Sequence, residues 1–259
     1  MLVNVWQDRI FKEMIHSMRR HNLILLIFLL LCSCATPHGK PASLFRQSGK
    51  LVPCGWWYAR FRIQWPADTK PQWYLDAAIA REVIQPVLKA YGSQIRLWRF
   101  HRRAARDNTG HQFSFIFYTD KETANLIYSS ISKNGFLQLL LSERKVIKVL
   151  YDDTAVLKKP NIQDTSDPHW SMEIQRSWPY FIMGASQMWL EMLDQLWDGY
   201  EKEHPSSTPE DRLESYKKVY GSLTYLWEDQ CGHALLHHLY ALFGYAPIKV
   251  RQADILMRF

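Results

Sequence analysis

Residues 57–65 restrict the fold more than any other stretch of the chain. Trp57, Ala59, Phe61, Ile63 and Trp65 alternate with Tyr58, Arg60, Arg62 and Gln64, a period of two that suits an extended strand with one buried face. Pro66 ends it. From 71 to 91 the period changes, and Leu75, Ile79, Val83, Val87 and Leu88 fall on one helical face, with Pro86 placed to kink or split the helix and Gly92 to stop it. Residues 95–103 and 111–119 are two further strand-like runs around a polar loop, and Phe113, Phe115 and Phe117 share one face. A helix over 121–132, closed by Asn134-Gly135, and a strand over 146–151 complete the series. The order strand, helix, strand, strand, helix, strand predicts an α+β fold with a ferredoxin-like split βαβ sheet half over 54–153. Its helices cover one sheet face and leave the other open.

The half from 154 to 259 differs in kind. After a polar connection over 154–171, residues 179–200 and 209–243 carry dense helical apolar patterns, with Ser177 and Thr208 as expected N-caps, each followed by a proline. This predicts a C-terminal helical hairpin that needs a partner surface, either the open sheet face or the back helices. The expectation adopted here is the open face.

At the other end, Arg19-Arg20 precede the apolar run 23–31 and then Cys32-Ser33-Cys34. The run is too short to span a bilayer. It resembles the signal peptide and lipobox of bacterial lipoproteins, which implies cleavage after residue 33 and diacylation of Cys34, preferred over Cys32 because Leu31 is bulky. Asp8 and Glu13 lie ahead of the basic pair, which suggests that translation starts at Met18. Cleavage removes four basic and two acidic residues, so the net charge falls from +7 to +5 and 226 of 259 residues remain. That charge is too mild to predict a nucleic-acid partner. Residues 34–53, rich in Pro, Gly and Ser, read as a lipidated tether. The resemblance implies a lipid bilayer as partner and an outer-membrane position facing the periplasm, since Ala35 is not the aspartate associated with inner-membrane retention.

A second resemblance rests on Trp98-Arg99-Phe100-His101-Arg102-Arg103, a loop with Asp107 and Gly110, then His111-Gln112-Phe113-Ser114-Phe115, preceded by a helix ending Ile84-Gln85-Pro86-Val87-Leu88. Over residues 56–151 it is similar to the thiopeptide-type bacteriocin biosynthesis domain, also found in split lantibiotic dehydratases. The family's Arg-Tyr-Gly-Gly-like segment is missing where 152–163 stands. The resemblance therefore implies a fold and no activity.

The functional candidates follow from this layout. Arg60, Arg62, Arg99 and His101, with His111 added, form a candidate anion-binding set on the open face, because planar guanidiniums bind phosphate and carboxylate bidentately. The competing expectation is that acids of the C-terminal helices, such as Glu191 or Asp194, neutralise these arginines. Arg102, Arg103 and Arg106 extend the basic surface toward anionic lipid. Cys54 and Cys231 are a candidate disulfide, with two separate buried thiols as the alternative. Asp229, His233 and His237, at successive i, i+4 positions, are a candidate metal stripe. No Gly-x-Ser-x-Gly, P-loop or Gly-x-Gly-x-x-Gly motif occurs, and no cofactor is expected. The reading adopted is a lipoprotein acting by binding or envelope assembly. The alternatives are an envelope enzyme using the arginine face on an anionic substrate and a metal-binding protein using the histidines.

Overall fold

A computed structural model describes residues 45–47 and 50–246, with side chains from 52 onward. They belong to a unit that begins at Ser43. The expected signal peptide, the start at Met18 and lipidation at Cys34 lie outside the described residues.

Strands β1 (Phe45–Gln47) and β2 (Lys50–Val52) pair antiparallel inside the stretch read as a tether. The main sheet consists of β3 (Cys54–Ile63), β4 (Leu97–Ala104), β5 (His111–Asp120) and β6 (Val146–Tyr151), in the order β4-β5-β3-β6 with every pair antiparallel. Register places Trp57 against Phe117, Ala59 against Phe115 and Phe61 against Phe113, so one face is almost wholly apolar. All six residues are buried. Burial of each phenylalanine contributes about 2 kcal/mol, and the Trp57 indole keeps its hydrogen bond by donating to Thr119 O at 2.9 Å.

The helix after β3 is split, as Pro86 led one to expect, but the break lies ahead of the proline. Helix α1 (Trp73–Ile79) passes through a π-helical turn (Ala80–Ile84) into α2 (Gln85–Tyr91). Proline has no N–H for the carbonyl four residues back, Glu82 O, and its ring crowds that carbonyl. The Asn134 side chain satisfies it instead, donating from Nδ2 at 2.9 Å. Helix α3 (Lys121–Ser132) is capped by Asp120, which accepts from Thr123 N at 2.9 Å, and turns Ala124, Ile127, Tyr128 and Ile131 inward. A helix the sequence reading missed follows, α4 (Gly135–Ser142), where Asn134 ends one helix and caps the next by accepting from Leu137 N.

The C-terminal hairpin is α5 (Met172–Glu203) and α6 (Pro209–Cys231), continued by a π turn (Gly232–His237) and α7 (His238–Leu242). The N-cap of α5 is Ser171 rather than Ser177, and Pro179 lies inside the helix. Thr208 caps α6 as expected, exchanging hydrogen bonds with Asp211 in a capping box. Leu190, Leu193 and Trp197 of α5 are buried with Leu213, Tyr216 and Val219 of α6, and the Trp197 and Tyr216 rings stack at 4.0 Å.

Apart from Met183, which packs against the apolar end of the open sheet face, the hairpin does not lie on that face. It packs along edge strand β4 and on α1, sharing the core of the helix-covered side. Phe100 of β4 meets Trp189 edge to face at 5.5 Å, and its N–H donates to Ser186 Oγ at 3.1 Å. The apolar faces of both hairpin helices match an apolar sheet face better than one carrying several arginines.

Candidate functional site

The face opposite the helices carries Arg60 and Arg62 of β3, Arg99, His101 and Arg103 of β4, Gln112 and Ser114 of β5, and Lys148 of β6, in directly opposed pairs. Residues 152–166 cross one end of it as a strap, and Met183 of α5 packs with them against Trp56, Leu97, Ile116 and Tyr118. The Trp56 indole donates to Asn161 O and Ile162 O, both at 3.0 Å, and the Tyr118 hydroxyl donates to Pro160 O at 2.6 Å. The Trp56 main chain adds a bond to Lys159 O at 2.9 Å. Gly55 is required beneath the strap, because a Cβ there would stand 2.2 Å from Leu157 Cδ1 and 2.9 Å from Lys159 O.

The strap also takes up two of the expected anion-binding arginines. Arg60 Nη1 bonds Asp152 Oδ1 at 2.9 Å, and its guanidinium lies over the Tyr58 ring. Arg99 Nη2 approaches Thr165 O at 3.4 Å, and burial pulls its pKa below the ordinary arginine value. Partial burial first, then the charges of Arg99 and Arg103, shift His101 down from the usual histidine value. Internal pairing is therefore found, but its acid is Asp152. The acids named from the hairpin point elsewhere: Asp194 binds Arg81 at 2.8 Å and Glu191 accepts from Gln187.

His111 does not belong to this set. Its register beside Ile63 puts it on the helix-covered face, where its side chain is fully buried 2.9 Å (Nε2) from Asp76 Oδ1. Neither atom makes a well-aligned hydrogen bond, and His111 Nδ1 has none. Asp76, also fully buried, bonds Arg102 Nε at 2.7 Å through Oδ2, and Arg102 Nη2 donates to Trp73 O at 3.0 Å. The Arg102 guanidinium lies 4.9 Å from the Trp73 ring, 5.2 Å from Trp189 and 5.3 Å from Tyr220, which ties the sheet, α1 and the hairpin together. A second such knot centres on Glu82 in the π turn, which accepts from Arg81, Arg212 and the Tyr216 hydroxyl. Sequence reasoning passed over Asp76 and Glu82. A carboxylate between Leu75 and Ile79 on an apolar helix face is the signal that marks the first.

At the uncovered end of the sheet face, Arg62, Trp65, Arg106, Thr109, Ile147 and Lys148 are among the residues lining an open groove of about 490 Å³. Arg62 Nη1 donates to Asn108 O at 3.1 Å and to Thr109 O, while its Nε is buried without a hydrogen bond. Arg106 stacks 3.5 Å above Trp65 and donates to Trp65 O, Pro66 O and Thr69 O. Asp107, on the same rim, is clamped by Arg103 and by the amides of Gly110 and Thr109, which hold its carboxyl at about 2.

No family model matches the chain, and no curated protein matches it either. Cys54 and Cys231 are two separate buried cysteines that do not bridge each other. The His233 and His237 rings stack at 4.9 Å with His238 close by, but among the described residues no group of three or more His, Cys, Asp or Glu is arranged to hold a metal ion. Among those residues no helix is long and apolar enough to cross a membrane.

Proposed function

We propose that the protein is a lipoprotein of the bacterial envelope, held through acylated Cys34 in the outer membrane with its folded part facing the periplasm, and that it works by binding another envelope component. The sheet half we assign to the ferredoxin-like class; the strand order β4-β5-β3-β6 and the helices following β3 and β5 support that assignment.

One observation carries the binding role. The outer parts of the hairpin expose large apolar side chains, Trp170 just before α5, Tyr180 and Phe181 in its first third, and Tyr225 and Trp227 toward the end of α6. At the first of these sites Trp170 and Trp178 meet at 5.1 Å and Trp178 and Phe181 at 5.5 Å, a cluster of rings in contact with water. Such clusters are unfavourable in isolation and typical of surfaces that meet a partner, where Trp, Tyr and Phe are enriched.

Two measurements test the reading. A photo-crosslinking phenylalanine analogue at position 181 or 227 gives a discrete adduct in intact cells, and the same analogue at exposed Lys121 gives none; absence of an adduct, or the same one at all three positions, defeats the binding role. An alkynyl fatty acid labels the wild type and not Cys34→Ala, and equal labelling of the two removes the anchor. The rival reading, an enzyme acting on an anionic substrate, draws its support from the groove at the sheet end.

A further inference from the structure

Two kinds of arginine environment bear on the groove at the sheet end. Arg60, Arg81, Arg102, Arg103 and Arg212 each face a carboxylate, so each charge is cancelled within the fold. Arg62 and Arg106 are held by main-chain carbonyls. A carbonyl fixes a guanidinium in place without removing its charge, and both of these line the same groove, together with exposed Lys148. None of the three makes an ion pair among the described residues. The one acid on the rim, Asp107, is already neutralised by Arg103.

From this we infer that the groove between the β4–β5 loop and β6 is a binding site for a phosphate group carried on a larger body. Three uncancelled positive charges around one concavity match a phosphate dianion or diester, with the N–H groups that the carbonyls leave free and the Lys148 ammonium as donors. A volume of about 490 Å³ falls within the ordinary range for small-molecule sites, so the groove holds more than a bare ion. Trp65 beneath Arg106 and Ile147 beside Lys148 add apolar walls for the body that bears the phosphate. The inference does not depend on the membrane anchor, and two sources share its chemistry: a soluble phosphate ester and a phospholipid headgroup.

The test is calorimetric titration of the full chain in neutral-detergent micelles, with inorganic phosphate and with short-chain dihexanoyl phosphatidylglycerol as probes. Wild type binds phosphate saturably. Arg62→Gln and Arg106→Gln each weaken binding at least about tenfold. Lys148→Glu does the same, and because Lys148 is exposed and makes no ion pair, that variant cannot fail merely by unfolding. Lys89→Glu, on α2, is without effect. If phosphate binds and the lipid does not, the natural ligand is a soluble ester; if the lipid binds and phosphate competes with it, the ligand is a headgroup. No saturable binding of either probe, or a Kd in Lys148→Glu and Arg62→Gln within about twofold of wild type, overturns the proposal.

Discussion

Phe115→Ala is expected to lower the unfolding free energy by about 3–5 kcal/mol, a large share of what a single domain possesses. Phe115 lies on a strand paired on both sides, fully buried, with its ring stacked on Phe117 at 4.9 Å and within 6.3 Å of Trp98 and Phe100. Directly opposite it stand Ala59 on β3 and Phe100 on β4, so on the β3 side no bulky neighbour is at hand to fill the space. The cost is therefore the lost transfer energy plus a cavity that persists. Urea unfolding should show a lower midpoint at an unchanged slope. A loss below about 1 kcal/mol would mean that the phenylalanine ladder is not the core of the sheet.

Asp76→Ala should cost a similar 3–5 kcal/mol for a different reason. Among the described residues the carboxylate is the one acid bonded to Arg102, and it stands against fully buried His111. Without it the largely buried guanidinium keeps only Trp73 O and its aromatic neighbours among the described residues. A buried charge that loses its counter-charge is far worse off than one that never had it, so Asp76→Ala and Arg102→Ala should be strongly non-additive. A double-mutant cycle with a coupling energy under about 0.5 kcal/mol would show that the two are not a unit.

The elements with a regular apolar period were legible in the sequence. Strand β3 alternates over its second half, β5 sets Phe113, Phe115 and Phe117 on one face although it is buried throughout, and α3 repeats its apolar residues at the helical period, so the four-stranded sheet and the faces of its phenylalanines follow from spacing. The features that escaped depend on contacts without a period. The strap is polar and irregular, and nothing local says which face it crosses. Helix α4 was hidden because Asn134-Gly135 reads as a stop while Asn134 also starts the next helix. His111 was misassigned against its own parity, since it shares odd numbering with Phe113 and Phe115 and therefore their face. The groove was visible only in part: Arg62 and Arg106 stand out as cations, but a sequence does not tell whether a carboxylate or a carbonyl holds them.

Strand β3 comes first in the main sheet by chain order and is hydrogen-bonded on both of its edges, to β5 and to β6. A chain that emerges N-terminus first therefore presents a strand with four aromatic residues and two bare edges until Val146–Tyr151 follows, and Gly55 stays open until the strap closes over it. Sticky, unpaired strands of this kind are where newly made chains associate wrongly. The arginines between its aromatic residues then have a second use: Arg60 and Arg62 keep the nascent strand charged along the same stretch that later becomes the middle of the sheet.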